Sequence, residues 1–292
     1  MSKVQYLNKK ELLKLPQSFV GETHYEVIMG SFAYGVSNVE SDIDLYGVCV
    51  PPKEMVFPHL SGYIHGFGPS PANFENFQQH HIKDKEIEYD VSIYSIIQYV
   101  NLAMDNNPNI IDSLFVPQRC VVHIDQIGNI LRENKLKFLH KGSYHRYKGY
   151  AYAQLKKLKN GVSKEGRKEL VEKYGMDVKF AYHIVRLAAQ AEMILIEHDL
   201  DLERNKEQLK SIRNGEWTLQ RLEDWFQTKE KQLDELYLNS KLCYRPDYDE
   251  IKRILLCCLE HKYGNLSSFY QSVDTSIIQK YNKILKVING EI

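Results

Sequence analysis

Two short stretches carry residue types that could manage a metal-bound triphosphate: Met29-Gly30-Ser31-Phe32-Ala33-Tyr34-Gly35 and Ser41-Asp42-Ile43-Asp44-Leu45-Tyr46-Gly47. A glycine lets the backbone approach a phosphate closely, and Ser31 offers both an N–H and a hydroxyl to phosphate oxygens. On a strand, Asp42 and Asp44 project from one face. Two carboxylates on one face are what a pair of Mg²⁺ or Mn²⁺ ions needs for in-line phosphoryl or nucleotidyl transfer. Asp-x-Asp alone, like Gly-Ser alone, is more often a surface turn. Here apolar Val27-Ile28-Met29 leads in and Leu45-Tyr46-Gly47-Val48-Cys49-Val50 leads out. That context puts the carboxylates on a strand entering a core, where they would be costly without cations.

A third carboxylate should come from a neighbouring strand. In Glu86-Ile87-Glu88-Tyr89-Asp90-Val91, the acids share one face and the apolar residues the other. The competing reading is an edge strand with solvated acids. Further along, Lys179, His183, Arg186 and Gln190 fall on one stripe of a helix that is otherwise apolar through Ala181, Ile184, Val185, Leu187 and Ala188. A nucleoside triphosphate is the natural anionic partner of such a stripe, with Lys179 a point charge, Arg186 a planar fork and His183 facing base or ribose. An interdomain salt-bridge network with Glu192 or other acids is the alternative. Between Lys141 and Lys168 lie Arg146, Lys148, Lys156, Lys157, Lys159, Lys164 and Arg167, opposed in sequence only by Glu165 and interleaved with Tyr144, Tyr147, Tyr150 and Tyr152. Such a segment suits RNA, by phosphate contact and base stacking, although a solvated face over core tyrosines fits almost as well. His65, His80 and His81 lack metal-ligand spacing, and Trp217 and Trp225 read as core or interface anchors.

The elements that would position these residues follow from periodicity and punctuation. A helix over Lys9–Leu15 should stop at Pro16. Strands are expected over Glu26–Met29 and Asp42–Val50, joined by a short helix after the glycine turn, with Pro51-Pro52 ending the second. Residues 58–80 read as a long loop whose aromatics suggest an ordered active-site flap. After the acidic strand, helices should cover 92–105 and 108–115, the second opened by Asn107 as N-cap and Pro108 at its first position. Val121–Ile124 is expected as a last strand. Beyond residue 126 the pattern is helical, notably over 150–160, 177–198, 218–237 and 248–260. The fold class is therefore α+β: a mixed-sheet domain over 1–140 and an all-helical domain over 141–292.

Composition bounds the rest. At 292 residues the chain suits two domains with ample core. Lys+Arg and Asp+Glu both number 38, so any nucleic-acid binding must be local. Five cysteines without a framework suggest reduced thiols. No apolar run approaches the ~20 residues of a membrane span, and Met1-Ser2-Lys3-Val4-Gln5-Tyr6 is unlike a signal peptide, so a soluble cytoplasmic protein without membrane partners is expected.

The Gly30-Ser31 to Asp42-x-Asp44 arrangement resembles the signature of the DNA polymerase β nucleotidyltransferase superfamily. Within it, the chain is similar to the predicted nucleotidyltransferases of the YcgL type, including the RNA-repair-associated group. Four blocks support the narrower match: Asn107-Pro108-Asn109-Ile110-Ile111-Asp112, Gly175-Met176-Asp177-Val178-Lys179, His183-Ile184-Val185-Arg186-Leu187 and Ile212-Arg213-Asn214-Gly215-Glu216-Trp217. The similarity runs from about residue 20 to about residue 230. Met176 departs from a frequent aromatic, Phe180 from a polar residue and Asp112 from the usual Glu. The resemblance implies a polymerase-β-like domain, and it prefers Asp90 over Glu88 as the third carboxylate because Asp90 directly precedes the helix leading to the Asn-Pro block. It implies a Mg²⁺- or Mn²⁺-dependent enzyme moving a nucleoside monophosphate from an NTP, ATP favoured, onto a hydroxyl. In that reading Gly30 and Ser31 grip the triphosphate, while Asp42, Asp44 and Asp90 hold metal. The acceptor expected is an RNA end, tRNA being one candidate. Protein nucleotidylation of the toxin–antitoxin kind and a non-catalytic RNA-binding module are the alternatives.

Overall fold

Alternation along Ile43-Asp44-Leu45-Tyr46-Gly47-Val48-Cys49 sets the layering of the molecule. The structure is a computed structural model describing residues 2–16, 22–38, 41–71, 73–161 and 168–267. Strands β1 (Thr23–Ile28), β2 (Ile43–Cys49), β3 (Asn76–Asp84), β4 (Ile87–Ser95) and β5 (Val121–Ile124) form one sheet in the order β3-β4-β2-β1-β5. The β2–β4 pairing is parallel and the other pairings antiparallel, so the sheet is mixed. Leu45, Cys49, Tyr89, Val91 and Ile93 turn to one side, where they meet Val4, Leu7, Leu13, Phe74 and Ile82 in a small core. The alternate residues Val48 and Tyr94 enter a larger core with the helices. Asp44 and Asp90 share the parity of Val48 and Tyr94 and so face the helical layer.

Helices α1 (Lys3–Lys9), α2 (Gly30–Ala33), α3 (Lys53–Val56), α4 (Ile96–Met104), α5 (Pro108–Phe115) and α6 (Gln126–Glu133) are interspersed with the strands. They are followed by α7 (Gly142–Lys159), α8 (Lys168–Tyr174), α9 (Val178–Glu197), α10 (Lys206–Arg213), α11 (Leu219–Asn239) and α12 (Tyr248–Tyr263). No strand occurs after Ile124 among the described residues. Helix α9 is buried on nearly every side, as expected of an element apolar around most of its circumference, and α7, α10 and α11 pack on it. Val27, Tyr147, Ile184, Leu222 and Ile251 belong to one continuous core, which therefore crosses residue 140. Helix α12 returns to pack on α4 and α6. No described helix is long and apolar enough to cross a membrane, and Cys49, Cys120, Cys243, Cys257 and Cys258 are all unpaired thiols. Residues 268–292 of the expected helical domain lie outside the described residues.

Three expectations are corrected. The first helix covers Lys3–Lys9 instead of Lys9–Leu15. Ser2 caps it, its hydroxyl accepting from Gln5 N–H at 3.0 Å, and Glu11 breaks it with φ +58°. The buried Glu26 carboxylate anchors the same end, accepting from the Ser2 and Thr23 hydroxyls and from Lys3 N–H at 2.6 Å. The acidic strand starts after Glu86 and runs on to Ser95, so residues 92–95 are not helical. Its continuation is buried on both faces between β2 and β3, which suits Val91, Ile93 and Tyr94. Finally, the segment 58–80 ends in strand β3 from Asn76, and none of its residues lines the central cavity described next.

Candidate active site

Residue 30 has to be glycine. Its φ is +61°, and a Cβ there would stand 1.9 Å from Asp44 Oδ2. The turn thus lies directly against the second carboxylate of the Asp-x-Asp pair, and Met29 N–H donates to the Asp44 carbonyl at 2.7 Å. Asp44 in turn stands opposite Asp90 in the parallel β2–β4 register. Glu88 has no partner in β2 and its carboxylate meets the His81 ring at 2.5 Å. The geometry therefore favours Asp90 over Glu88 as the third acid of the group.

Gly30, Ser31, Asp42, Asp44, Asp90, Lys179, His183 and Arg186 all line one cavity of about 1000 Å³ between the sheet and helices α9 and α10. Burial first, and then the neighbouring Asp42 and Asp90 carboxylates, push Asp44 up to about 6, while Lys179 and His80 pull it back. Glu26 makes the contrast clear. That acid is met by four donors, whereas Asp44 faces two further acids, a set whose repulsion a divalent cation would relieve. The donor set is all oxygen, which suits Mg²⁺ or Mn²⁺. Among the described residues no three His, Cys, Asp or Glu side chains are arranged to hold a metal unaided.

Asp90 is itself held from strand β3. A bulge between Gln79 and Ile82, with His81 at φ +57°, turns His81 N–H onto Asp90 Oδ1 at 2.9 Å. The His80 ring reaches Asp90 Oδ2 at 3.1 Å. The sequence does not reveal this support, because the loop expected over 58–80 takes in the first half of β3.

The helical wall brings cations the sequence did not assign. Lys210, Arg213 and Asn214 join Lys179, as do Asn109, Tyr174 and Tyr182. Arg213 donates to the Val36 carbonyl at 2.7 Å and lies 5.5 Å over the Tyr182 ring, which also meets the His183 ring at 4.2 Å. Gly215, at φ +79°, leaves room for Tyr174, whose ring carbon would be 2.0 Å from a Cβ there. The signals were present in the Asn-Pro-Asn and Ile-Arg-Asn-Gly blocks, which marked the family without yielding residue roles.

Arg186 is held inside the protein together with Gln190 of the same stripe. It is 5 % exposed, and its Nη1 donates to Asp112, to the Tyr34 hydroxyl at 2.6 Å and to Gln190 Oε1 at 3.3 Å. Tyr34 donates to the same Asp112 oxygen at 2.8 Å. Burial drives the Asp112 carboxyl upward, and Arg186 opposes the shift. Glu192, the acid named in the alternative salt-bridge reading of the stripe, is paired with Lys229 at 2.8 Å.

The basic segment is also reassigned in part. Lys148 pairs with Glu230 at 2.9 Å and Asp234 at 2.8 Å, Lys159 with Glu223 at 3.0 Å and Arg146 with Asp105 at 3.0 Å. Lys141 is buried against the Tyr244 ring, Tyr147 is in the core, and Tyr144 and Tyr152 are tied to Asp234 and Glu230. The opposing acids come from α11 and from Asp105, distant in sequence and so invisible to a local charge count. Lys164, Glu165 and Arg167 lie outside the described residues. Trp217 is buried, with the Trp225 ring 6.1 Å away.

A mixed sheet carrying a glycine–serine turn against paired aspartates, roofed by a cationic helical layer, defines a polymerase-β-like nucleotidyltransferase. Residues 6–255 match the family described as the RNA repair pathway DNA polymerase beta family (RlaP), and the chain belongs to that family. It is 28% identical over 131 residues to an uncharacterized 38.9 kDa protein encoded in the nrdC–mobD intergenic region of Enterobacteria phage T4. That match covers 44% of this chain and 36% of the phage protein, about a third of its length. A nucleotidyltransferase-like protein from Exiguobacterium sibiricum aligns at 10% identity and a TM-score of 0.31, over 88% of this chain and 72% of its own.

Proposed function

We propose that the protein transfers a nucleoside monophosphate from an NTP to a hydroxyl at an RNA end and releases pyrophosphate. The observation that carries this reading is the in-register Asp44 and Asp90, flanked by Asp42 and the Gly30–Ser31 turn, facing Lys179 and Arg213 across one cavity. Asp42, Asp44 and Asp90 would hold Mg²⁺ or Mn²⁺. When bound, the metal supplies acidification of the attacking hydroxyl and neutralisation of triphosphate charge. Ser31 contributes its N–H and hydroxyl to the triphosphate, and Lys179 and Arg213 contribute charge from the opposite wall. His183, set against Tyr182, faces base or ribose. Arg186, committed to Asp112, positions the wall. Such a site works mainly by orientation and charge neutralisation.

The family description supports RNA as acceptor. The neutralisation of Lys148 and Lys159 by α11 weakens the sequence argument for RNA, and it keeps a protein hydroxyl as the alternative acceptor. Incubation with each α-labelled NTP, ATP first, in Mg²⁺ or Mn²⁺ with total RNA or total protein distinguishes these readings by the fraction that carries label. No labelling of either fraction by the wild type, under conditions where NTP binds, would leave a binding module.

One outcome concerns the cavity wall and another the β3 support behind Asp90. Lys179→Met and Arg213→Met should each weaken NTP binding by roughly 1.5–3 kcal/mol, the range for a charge-assisted hydrogen bond. Calorimetry giving wild-type affinity for both would move the triphosphate elsewhere. His80→Ala should raise the Mn²⁺ concentration needed for half-maximal transfer by about 10–100-fold, as loss of a group orienting a metal ligand does. A metal titration of transfer rate checks it, and an unchanged midpoint would reduce the β3 bulge to a purely structural feature.

A further inference from the structure

Helix α7 separates its cations by face. On the side turned to α11, Lys148 and Lys159 are neutralised by Glu230, Asp234 and Glu223. On the other side lies an open groove of about 460 Å³ lined by His145, Arg146, Gly149, Tyr150, Gln154 and Lys157. Lys157 is exposed and, among the described residues, makes no ion pair. Tyr150 is 39% exposed, and Gly149 leaves the helix surface bare, with nothing from the rest of the protein within 4 Å of where a Cβ would stand. A flat aromatic, a bare backbone floor and an unneutralised cation make a surface suited to a base and its phosphate.

Side-chain contacts link the groove to the cavity. Asn107 Nδ2 donates to the Tyr150 hydroxyl at 3.3 Å, and Asn107 caps α5, whose Asn109 lines the cavity. Burial raises the Tyr94 phenol, and Tyr150 adds to the rise. The Tyr94 ring meets Tyr46 at 5.7 Å, and Tyr46 lines the cavity two residues beyond Asp44 on the same face of β2.

We propose that this groove receives the single-stranded segment of the RNA acceptor adjoining its reacting end, with Tyr150 stacking on a base and Lys157 meeting a phosphate, while Arg146 stays paired with Asp105. The proposal rests on RNA being the acceptor in the reading above. It narrows the basic segment to one face of one helix and excludes Lys148 and Lys159, which the sequence alone would have included.

The test is fluorescence anisotropy with a labelled, unstructured single-stranded RNA across a salt series, alongside NTP calorimetry and RNA labelling. Tyr150→Ala should weaken RNA binding roughly five- to 150-fold, the range for loss of one stacked base. Lys157→Gln should lower the slope of log affinity against log salt by about 0.7, and Lys157→Glu should weaken binding further. Lys159→Gln, on the neutralised face, should match the wild type, and NTP affinity should be unchanged throughout. Thermal melting identical to the wild type assures that exposed Tyr150 and Lys157 act on binding. Wild-type affinity and slope in the Tyr150→Ala/Lys157→Glu double variant would overturn the groove while leaving RNA labelling, and hence the transfer reading, intact. Labelling of protein with no RNA binding by the wild type would overturn both.

Discussion

Asp44→Asn should abolish nucleotide transfer and, in chelator, leave the protein more stable than the wild type at neutral pH. Loss of activity should be about 10³-fold or more, because a divalent cation supplies several kcal/mol of charge stabilisation and each ~1.4 kcal/mol is a factor of ten. The gain in stability follows from the buried carboxyl, which burial and its acidic neighbours push up to about 6 from 3.8. Below pH ~4 Asp44 is protonated in both folded and unfolded chains and contributes nothing. As pH rises from there to about 6, the unfolded chain gives up the proton first, so stability falls with pH. Above that window the wild type carries the full penalty, on the order of 1–3 kcal/mol, and asparagine removes it. Urea melts in chelator at pH 4 and pH 7, set beside transfer assays in Mg²⁺, check both halves. Asp42→Ala should likewise lose transfer and remain folded. Near-normal labelling by either variant, or a less stable Asp44→Asn at pH 7, would remove these carboxylates from the metal site.

The parts of this site legible in the sequence are those written as local patterns. Gly30-Ser31 and Asp42-x-Asp44 lie eleven residues apart, and strand parity gathers Glu88 and Asp90 on one face of their own strand, although only the β2–β4 register sets Asp90 opposite Asp44. Asn107 and Pro108 announce α5 by capping chemistry that depends on no distant residue. What escaped is long-range. The loss of β3 as an element hid the His80–His81 support of Asp90, since Gln78-Gln79-His80-His81 carries little apolar alternation and its bulge breaks what there is. The first helix was displaced because the Ser2 cap and the Glu26 anchor lie 24 residues apart in sequence. The basic segment looked unopposed because its counter-charges sit on α11. Lys210, Arg213 and Tyr182 reach the cavity only through the packing of α10 on α9, which no local pattern encodes.

Asp112→Ala is expected to be the most destabilising single substitution around the cavity. The Asp112 and Arg186 side chains are 0% and 5% exposed, and Tyr34 is bonded to both. Removing the acid leaves the guanidinium buried with only neutral partners, and breaking a buried pair this way costs about 3–5 kcal/mol. Arg186 Nε, Asp112 Oδ1 and Gln190 Nε2 already lack partners within the protein, so the network has no spare acceptor to take over. Replacing both partners, as Asp112→Leu with Arg186→Met, should recover most of the loss, because well-packed apolar side chains avoid the desolvation of both charges. The double variant also decides what Arg186 does. The guanidinium lies 4.3 Å over the Tyr34 ring, just beyond the Gly30–Ser31 turn, and so ties that turn to α9. If Arg186 acts by positioning, the repacked double variant should regain NTP affinity along with its stability in denaturant melts. A stable double variant that still fails to bind NTP in calorimetry would return Arg186 to the phosphate, where its place on the Lys179 stripe first put it.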